Sequence, residues 1–269
     1  MSAWLLRPAI RLSGFCFVLL TAGLDFLRLR LRGSPTRLER AAWLHRHSRR
    51  MLSALGIHVR ISGSVRGNRL IVSNHLSYLD VLVLAARQPV VFVAKKEVRA
   101  WPVLGWFASL AGTLFIDRGR RSAVHSLAKD IETAVADGLP VVVFAEGTSG
   151  DGSEVLPFKA SLLQPAVEGR WPVTPVGLDY ILADGCAARE VCFHGDAAFV
   201  PHFLNLLRRT APVAVIGYGS TRIATPERKA LAGELRQAVR ALRRTGIASA
   251  PPEEAELCGA GNVALQAPE

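Results

Sequence analysis

Cysteine is scarce in this sequence, and no two cysteines stand at the spacing of a redox or metal-binding pair. Four occur in 269 residues, at Cys16, Cys186, Cys192 and Cys258, and none belongs to a CxxC motif. This spacing argues against a disulfide framework and against a zinc site, so no metal is predicted, and it fits a reducing compartment. We expect Cys186 to lie in a turn and Cys192 in a strand.

Motifs of several other protein classes are also missing. The serine-centred GxSxG turn of α/β-hydrolases does not occur, and there is no internal repeat. The sequence has neither the aromatic motif of RNA-binding domains nor the signature of a DNA-reading helix. Nucleic acid is therefore not expected as a partner, despite a formal net charge of +11.

Positive charge is concentrated at the amino-terminal end of the chain. Residues 1–60 contain eleven arginines and two acids, Asp25 and Glu39, whereas the segment from Gly246 onward contains four acids and no basic residue. A basic end attracts either nucleic acid or anionic lipid. The nearly unbroken apolar run over residues 12–24 favours an anionic membrane surface.

This apolar run is short for a membrane-spanning helix, which needs about 20 such residues. Arginines flank it on both sides, at Arg7, Arg11, Arg28, Arg30 and Arg32. Because positive flanks oppose the translocation of either end, we predict a helix lodged in one leaflet with both ends on the cytoplasmic side. A full span and a signal peptide are the alternatives.

A second helix is predicted directly after the first. Thr36 and Glu39 have the spacing of a capping box, and Gly56 supplies a stop. Between them apolar residues recur near the helical period, and arginines occupy much of the rest. Such a basic amphipathic helix suits the surface of an anionic bilayer, and a domain helix with a solvated charged face fits the same pattern.

From Val59 onward strands and helices alternate, which predicts an α/β fold with a mixed, largely parallel sheet flanked by helices. Strands are predicted at 70–73, 90–94, 113–116, 140–144, 173–178, 190–193 and 213–216, and helices at 78–86, 101–110, 123–136, 158–167 and 226–243. We therefore divide the chain into membrane-associated helices (1–57), an α/β domain (58–245) and a disordered tail (246–269).

The sequence NHLSYLD, residues 74–80, follows the first of these strands and places His75 five positions before Asp80. An imidazole, which titrates near ~6.5, takes a proton from a hydroxyl near neutral pH, and a neighbouring carboxylate fixes its tautomer and stabilises the imidazolium. The pair predicts general-base chemistry, although this spacing also arises by chance.

Two further strands run into polar turns. GTLFIDR (112–118) ends in Asp117 and Arg118, and the Arg118 guanidinium suits a phosphate or a carboxylate. VVVFAEGTSGDG (141–152) ends in a glycine-rich turn, where Glu146 is placed to bond hydroxyls of an acceptor and Thr148 its headgroup. A surface arginine paired with Asp117 and an ordinary acidic turn are the simpler interpretations.

In order and spacing, these blocks and a strand around Pro175 resemble the glycerolipid acyltransferases of the lysophosphatidic acid acyltransferase (PlsC-like) family. The NHxxxxD motif of that family is matched by Asn74, His75 and Asp80, and its FPEGTRS motif by FAEGTS at 144–149. The resemblance covers roughly residues 58–220. It implies the glycerolipid acyltransferase fold.

The resemblance also implies acyl transfer to oxygen without a cofactor. His75 is then the general base on a lysolipid hydroxyl, Asp80 orients it, and an acyl carrier protein or coenzyme A thioester is the co-substrate. Substrate-binding residues are expected at Asn74, Arg118, Glu146, Gly147, Thr148, Ser149 and Lys159. The amino-terminal helix pair is similar to the membrane-docking element of bacterial members, which implies the cytoplasmic face of the bacterial inner membrane.

Two departures from the family motif bear on the acceptor. Ala145 replaces a proline, and Ser149 replaces an arginine expected to hold phosphate, for which a serine cannot supply a bidentate cationic fork. The strings EGTSGDG (146–152) and VLPFK (155–159) are similar to those of bacterial relatives that acylate lyso-ornithine lipid. This acceptor is therefore favoured, with lysophosphatidic acid as the alternative. A lipid-binding accessory without catalysis and a lipid hydrolase are the other hypotheses.

Overall fold

The structure is a computed structural model that describes residues 3–63, 70–117 and 121–248. Arg118 and residues 249–269 of the predicted tail lie outside these ranges. Residues 246–248, which the sequence assigned to the tail, belong to the last helix.

Helices and strands alternate along most of the chain, as predicted. The helices are α1 (Ala3–Leu31), α2 (Arg37–Leu55), α3 (Leu79–Ala85), α4 (Leu104–Leu110), α5 (Arg121–Ala136), α6 (Gln164–Glu168), α7 (Ala187–Glu190), α8 (Phe199–Arg208) and α9 (Arg228–Ala248), with 3₁₀ helices at Lys96–Ala100 and Ala160–Leu163. The strands are β1 (His58–Ser62), β2 (Leu70–Ser73), β3 (Val91–Lys95), β4 (Leu114–Ile116), β5 (Val141–Phe144), β6 (Pro172–Ile181), β7 (Val213–Tyr218) and β8 (Arg222–Ile223).

Within the described residues the strands form one mixed sheet in the order β1-β7-β6-β2-β5-β3-β4, and β8 pairs with the start of β6. The run from β6 to β4 is parallel, whereas β7 lies antiparallel to β6. The predicted α/β fold with a largely parallel sheet is therefore confirmed. Because β2, β5 and β3 are parallel, their carboxyl ends lie at the same end of the sheet, and the loops that follow them start there. We call this end of the sheet the carboxyl edge.

The central strands are buried on both faces, which explains their continuous apolar runs. Alternate side chains point to opposite faces. Ile71 and Val142 pack with apolar residues of α2, α3 and α8. Leu70 and Val141 pack on the other face with residues of α5 and α9. Helical layers thus cover both faces of the sheet.

The amino-terminal helices form as a pair. The capping box predicted for α2 is present, because the Thr36 hydroxyl accepts from the Glu39 N–H and the Glu39 carboxylate accepts from the Thr36 N–H, and Gly56 ends the helix at a φ of 68°. The stretch Leu6–Leu31 of α1 has a mean hydropathy of 1.7 and is by length and composition able to cross a bilayer. Helix α1 is thus longer than its most apolar run.

One face of α1 packs against the α/β domain. The Arg11 guanidinium donates to the carbonyls of Leu207 (3.3 Å) and Arg209 (2.6 Å), at the end of α8. Further along, Val18 belongs to the main core, and the Trp43 indole of α2 donates to the Ala22 carbonyl at 3.0 Å. The opposite face carries exposed apolar side chains at Ile10, Phe17, Leu20, Leu24, Leu27 and Leu31.

One predicted strand is absent from the structure, and several elements of the structure were not predicted. Residues 190–193 do not form a strand: α7 ends at Glu190, and Val191 and Cys192 are buried by tertiary packing rather than by a sheet. The edge strand β1 was not predicted, since most of its residues are exposed and give no apolar run. Helix α8 was also missed, because Pro201 in its first turn resembles a break although a helix tolerates proline there.

Candidate active site

The candidate site begins at Asn74, directly after the buried strand β2. Its Nδ2 donates to the Leu178 carbonyl at 2.9 Å, and its Oδ1 accepts the Leu178 N–H at 2.8 Å. These bonds extend the attachment of β2 to β6 and fix where the loop into α3 starts. Asn74 is completely buried, and both ends of its amide are used by this backbone. Its predicted contact with substrate stays a prediction.

His75 and Asp80 form a hydrogen-bonded pair across the loop. The His75 Nδ1 lies 2.7 Å from the Asp80 Oδ2, and the ring stacks on Phe144 of β5 with centroids 4.1 Å apart. The carboxylate needs a proton on Nδ1, so Nε2 carries the lone pair. The Asp80 side chain is fully buried, whereas 23% of the His75 side chain is exposed. The buried Asp80 carboxylate therefore holds the ring through Nδ1, while part of the ring remains exposed.

Asp80 is fixed by bonds to both of its oxygens. Besides the imidazole, Oδ2 accepts the N–H groups of Leu76 (2.6 Å) and Ser77 (3.0 Å). Oδ1 accepts the hydroxyl of Tyr180, on β6, at 2.7 Å. Burial raises the pKa of Tyr180 well above its ordinary value, and the Asp80 charge raises it further, so the phenol remains a donor. These bonds hold the carboxylate in one orientation, and the carboxylate in turn fixes the orientation of the imidazole.

Glu146 supports the same loop from the end of β5. Its Oε2 accepts the backbone N–H of His75 at 2.7 Å, and its Oε1 accepts the N–H of Leu156 at 2.7 Å. Burial raises the pKa of Glu146 to about 7, against the two N–H bonds, which lower it. Glu146 thus positions the backbone of His75. A contact with acceptor hydroxyls, predicted from the sequence, is compatible with the remaining lone pairs and stays a prediction.

Backbone bonds hold three loops together around the pair. The His75 carbonyl accepts the Gly150 N–H at 2.9 Å, and the Leu76 carbonyl accepts the Phe193 N–H at 2.7 Å. The Ser149 hydroxyl donates to the Phe193 carbonyl, which joins the glycine-rich turn to the segment after α7. The residue that replaces the family's arginine therefore serves to connect two loops.

Arg243 of α9 bonds to two of the segments that surround the His75–Asp80 pair. Its Nε and Nη2 each lie 2.9 Å from Oδ2 of buried Asp179, and Nη2 donates to the Gly152 carbonyl at 2.6 Å. Burial raises the pKa of Asp179, and the charge of Arg243 opposes this rise. One guanidinium thus connects β6, beside Tyr180, to the glycine-rich turn.

The other predicted residues lie around the turn or outside the described chain. Gly147 has a φ of 72°, a left-handed conformation that favours glycine, and Thr148 is exposed. The Lys159 N–H donates to the Ala145 carbonyl at 2.8 Å, which brings this exposed lysine back to the motif. Arg118 is not among the described residues, but its neighbour Asp117 pairs with Lys96 at 2.7 Å.

Sequence reasoning missed Tyr180 and Arg243. Tyr180 bonds to Asp80 from 100 positions along the chain, and Arg243 bonds to Gly152 of the glycine-rich turn from 91 positions, so no local spacing reveals them. One signal was present: Asp179 and Tyr180 interrupt an apolar strand, and polar side chains in a doubly covered strand need buried partners.

The arrangement is suited to one proton transfer. Among the described residues no three His, Cys, Asp or Glu side chains are grouped so as to hold a metal ion. What the site presents is the Nε2 lone pair of His75, with Asp80 behind it to stabilise the imidazolium. Chemically, this arrangement can take the proton from a hydroxyl that reaches Nε2.

Known proteins resemble this chain over the residues that form the candidate site. Residues 56–179 match the family model described as Acyltransferase. The lyso-ornithine lipid O-acyltransferase of Brucella abortus is 36% identical over 208 residues, which are 71% of this chain and 78% of that protein. The 1-acyl-sn-glycerol-3-phosphate acyltransferase of Neisseria gonorrhoeae is 37% identical over 111 residues, 41% of this chain and 44% of that protein.

A solved structure shares the fold. The 1-acyl-sn-glycerophosphate (LPA) acyltransferase PlsC of Thermotoga maritima superposes with a TM-score of 0.63 at 19% identity, over 89% of this chain and 95% of that one. At this identity the likeness establishes the fold alone. Together with the relatives and the family model, it confirms the resemblance read from the motifs.

Proposed function

The chain belongs to the acyltransferase family, and we propose that it transfers a fatty acyl group from an acyl thioester to the free hydroxyl of a lysolipid, with lyso-ornithine lipid as the favoured acceptor. The observation that carries this proposal is the His75–Asp80 pair, joined at 2.7 Å with its ring partly exposed at the carboxyl edge.

In the proposed reaction His75 Nε2 removes the proton from the acceptor hydroxyl as its oxygen attacks the thioester carbonyl. The new C–O bond forms, the C–S bond breaks, and the proton held by His75 passes to the departing thiolate. Asp80 stabilises the imidazolium between these two steps. The co-substrate is an acyl carrier protein or coenzyme A thioester, and no further cofactor enters the scheme.

Two observations favour lyso-ornithine lipid as the acceptor. The side chain at position 149 is neutral, and its hydroxyl is used by the Phe193 carbonyl, so it offers no cation to a phosphate. The Brucella abortus protein named for this acceptor also aligns over most of the chain. Lysophosphatidic acid is the second candidate, because exposed Lys159 is tied to the same turn by its backbone and is a cation suited to a phosphate.

We assign the protein to the cytoplasmic face of the bacterial inner membrane. The exposed apolar face of α1 supports membrane contact, and Arg28 and Arg30 near its end suit anionic headgroups. The opposite face of α1 packs on the domain from Arg11 to Phe26, which supports a helix lying in one leaflet rather than a free-standing span.

Replacement of the base tests the reaction. We expect His75→Ala to lower kcat for ester formation from lysolipid and acyl thioester by about 10²–10⁴-fold, the usual contribution of a general base. His58→Ala, on the edge strand β1, is the matched control and should retain activity. Turnover by a folded His75→Ala variant at the unaltered rate would refute the mechanism.

The acceptor is tested separately, by comparing lyso-ornithine lipid with lysophosphatidic acid in the same assay. We expect the unaltered enzyme to prefer lyso-ornithine lipid, and Ser149→Arg to shift the ratio of kcat/KM toward lysophosphatidic acid, since it restores a cationic fork. A preference for lysophosphatidic acid in the unaltered enzyme would reject the acceptor but not the reaction class.

A further inference from the structure

A hydrophobic projection between β3 and β4 has no part in the proposed chemistry. It comprises the 3₁₀ helix Lys96–Ala100 and the start of α4, and we call residues 96–106 the tryptophan lobe. Trp101 is 44% exposed, Val103 52% and Trp106 56%. Large apolar side chains exposed this close together mark an interaction surface rather than ordinary solvent contact.

The backbone of the lobe holds these side chains outward. The Leu104 N–H donates to the Pro102 carbonyl at 2.6 Å, and Val103 between them has φ 60° and ψ −61°. This is a γ-turn of the rare positive-φ kind, which is strained for a β-branched residue. Strain of this sort persists only where the surrounding structure imposes it.

Gly105 supplies that constraint by close packing. A Cβ atom at this position would lie 2.4 Å from the Val98 carbonyl oxygen and 2.5 Å from that of Arg99. The start of α4 therefore rests directly on the 3₁₀ helix, and no side chain separates them. The lobe is a compact unit with a fixed apolar tip.

The lobe rises from the same sheet edge as the candidate site. Strand β3, which leads into it, pairs in parallel with β5, and Phe92 of β3 stacks on Phe144 at 6.0 Å. Phe144 in turn stacks on the His75 ring. The apolar tip therefore lies on the side of the molecule where a substrate reaches the imidazole.

The lobe is also joined to α1. Phe107 of α4 stacks on Trp43 at 5.8 Å, and Trp43 contacts Phe26 of α1 edge-on at 5.3 Å. Trp106 packs edge-on against Phe107 at 5.1 Å. The exposed tip is thereby connected through one aromatic cluster to the helix whose outer face is the candidate membrane contact.

We propose that the tryptophan lobe inserts Trp101, Val103 and Trp106 into the interfacial region of an anionic bilayer, as a second attachment besides α1. Tryptophan is enriched at this depth because its ring is apolar and its N–H is polar. Exposed Arg99 beside the tip suits anionic headgroups. With two attachments, the carboxyl edge is held against the membrane surface from which a lysolipid would arrive.

An acidic carrier protein is the competing partner for a surface of tryptophan and arginine. The membrane is favoured because the tip is connected through Phe107 and Trp43 to α1, the helix whose other face is exposed and apolar, and such a connection is not needed for a protein partner. The inference does not depend on the identity of the lysolipid, since attachment is measured without substrate.

Bromolipid quenching of tryptophan fluorescence tests the proposal on the full chain. The protein is reconstituted in vesicles of phosphatidylglycerol and brominated phosphatidylcholine, and Trp101→Phe and Trp106→Phe are compared with Trp171→Phe. Trp171 is buried at the start of β6, at the opposite sheet edge, and serves as the matched control. Phenylalanine keeps the aromatic volume at each site.

The proposal predicts changes of opposite sign. Removing an inserted tryptophan lowers the fraction of emission that bromolipid quenches, whereas removing the protected Trp171 raises it. If Trp101→Phe and Trp106→Phe raise this fraction as Trp171→Phe does, the lobe is outside the bilayer and the proposal fails. It also fails if acyl carrier protein without vesicles shifts the emission of Trp101 and Trp106 while bromolipid does not quench them.

Discussion

Tyr180→Phe isolates the bond that fixes the Asp80 carboxylate, which we propose orients the base. The substitution removes one hydroxyl and keeps the ring in place within the core. That hydroxyl donates to Asp80 Oδ1 at 2.7 Å, whereas the imidazole and two backbone N–H groups all donate to Oδ2. Without this hydroxyl, Oδ1 of the fully buried Asp80 loses its phenol donor. The carboxylate is then held by hydrogen bonds to Oδ2 alone.

The size of the effect follows from burial and charge. A hydrogen bond to a charged group contributes about 1.5–3 kcal/mol to stability, and we expect the free energy of unfolding to fall by about that amount. In the proposed mechanism part of the loss appears in the transition state, where Asp80 stabilises the imidazolium. At about 1.4 kcal/mol for each factor of ten, kcat should fall roughly tenfold.

Steady-state acyl transfer with both substrates varied distinguishes positioning from a general structural role. Tyr180 is buried and cannot touch a substrate, so KM should stay constant while kcat falls. Tyr218→Phe, a buried tyrosine of the same core on β7, is the control for loss of a phenol. A Tyr180→Phe enzyme that is less stable but has unchanged kcat would show that Asp80 does not need this tether.

Two other substitutions test the charges beneath the site. Burial raises the pKa of Glu146 to about 7 from an ordinary 4.5, so between these values the folded chain holds a proton that the unfolded chain has lost, and stability falls as pH rises from 4.5 to about 7. Glu146→Gln should remove this slope, worth about 3 kcal/mol across the range, in denaturant titrations at several pH values; an unaltered slope would contradict the assignment. Arg243→Met should cost about 3–5 kcal/mol, because it leaves Asp179 charged and unpaired in the core, and a second change, Asp179→Asn, should recover much of the loss. Additive losses in the double variant would contradict a direct pairing.

The parts of the site that could be predicted are those encoded at short range. His75 and Asp80 lie on one loop and the first turn of one helix, so their spacing alone brings them together. The carboxyl edge followed from the apolar runs of β2 and β5, whose ends a parallel sheet places side by side. Local capping likewise located α2, because both partners of the box lie within four residues.

The parts that could not be predicted depend on contacts between distant segments. Glu146 was expected to face an acceptor, and a sequence cannot show that the N–H groups of His75 and Leu156 converge on its two oxygens. The segment around Val191 and Cys192 reads as a strand from its apolar residues, yet its burial comes from packing against the core. The apolar pattern of this segment indicates that it is buried, but it does not indicate which elements of the fold pack against it.

The geometry also separates reactivity from specificity. Asn74, Asp80 and Glu146 are buried, and their polar atoms bond mainly to backbone groups of the surrounding segments. They therefore hold the imidazole in a fixed position. Exposed side chains are instead found around the glycine-rich turn, at Thr148 and Lys159, and in the tryptophan lobe. Substitutions among the buried set should therefore change kcat for every acceptor alike. Those at the exposed set should change which lysolipid is used and how the enzyme meets the bilayer, with the base itself unaltered.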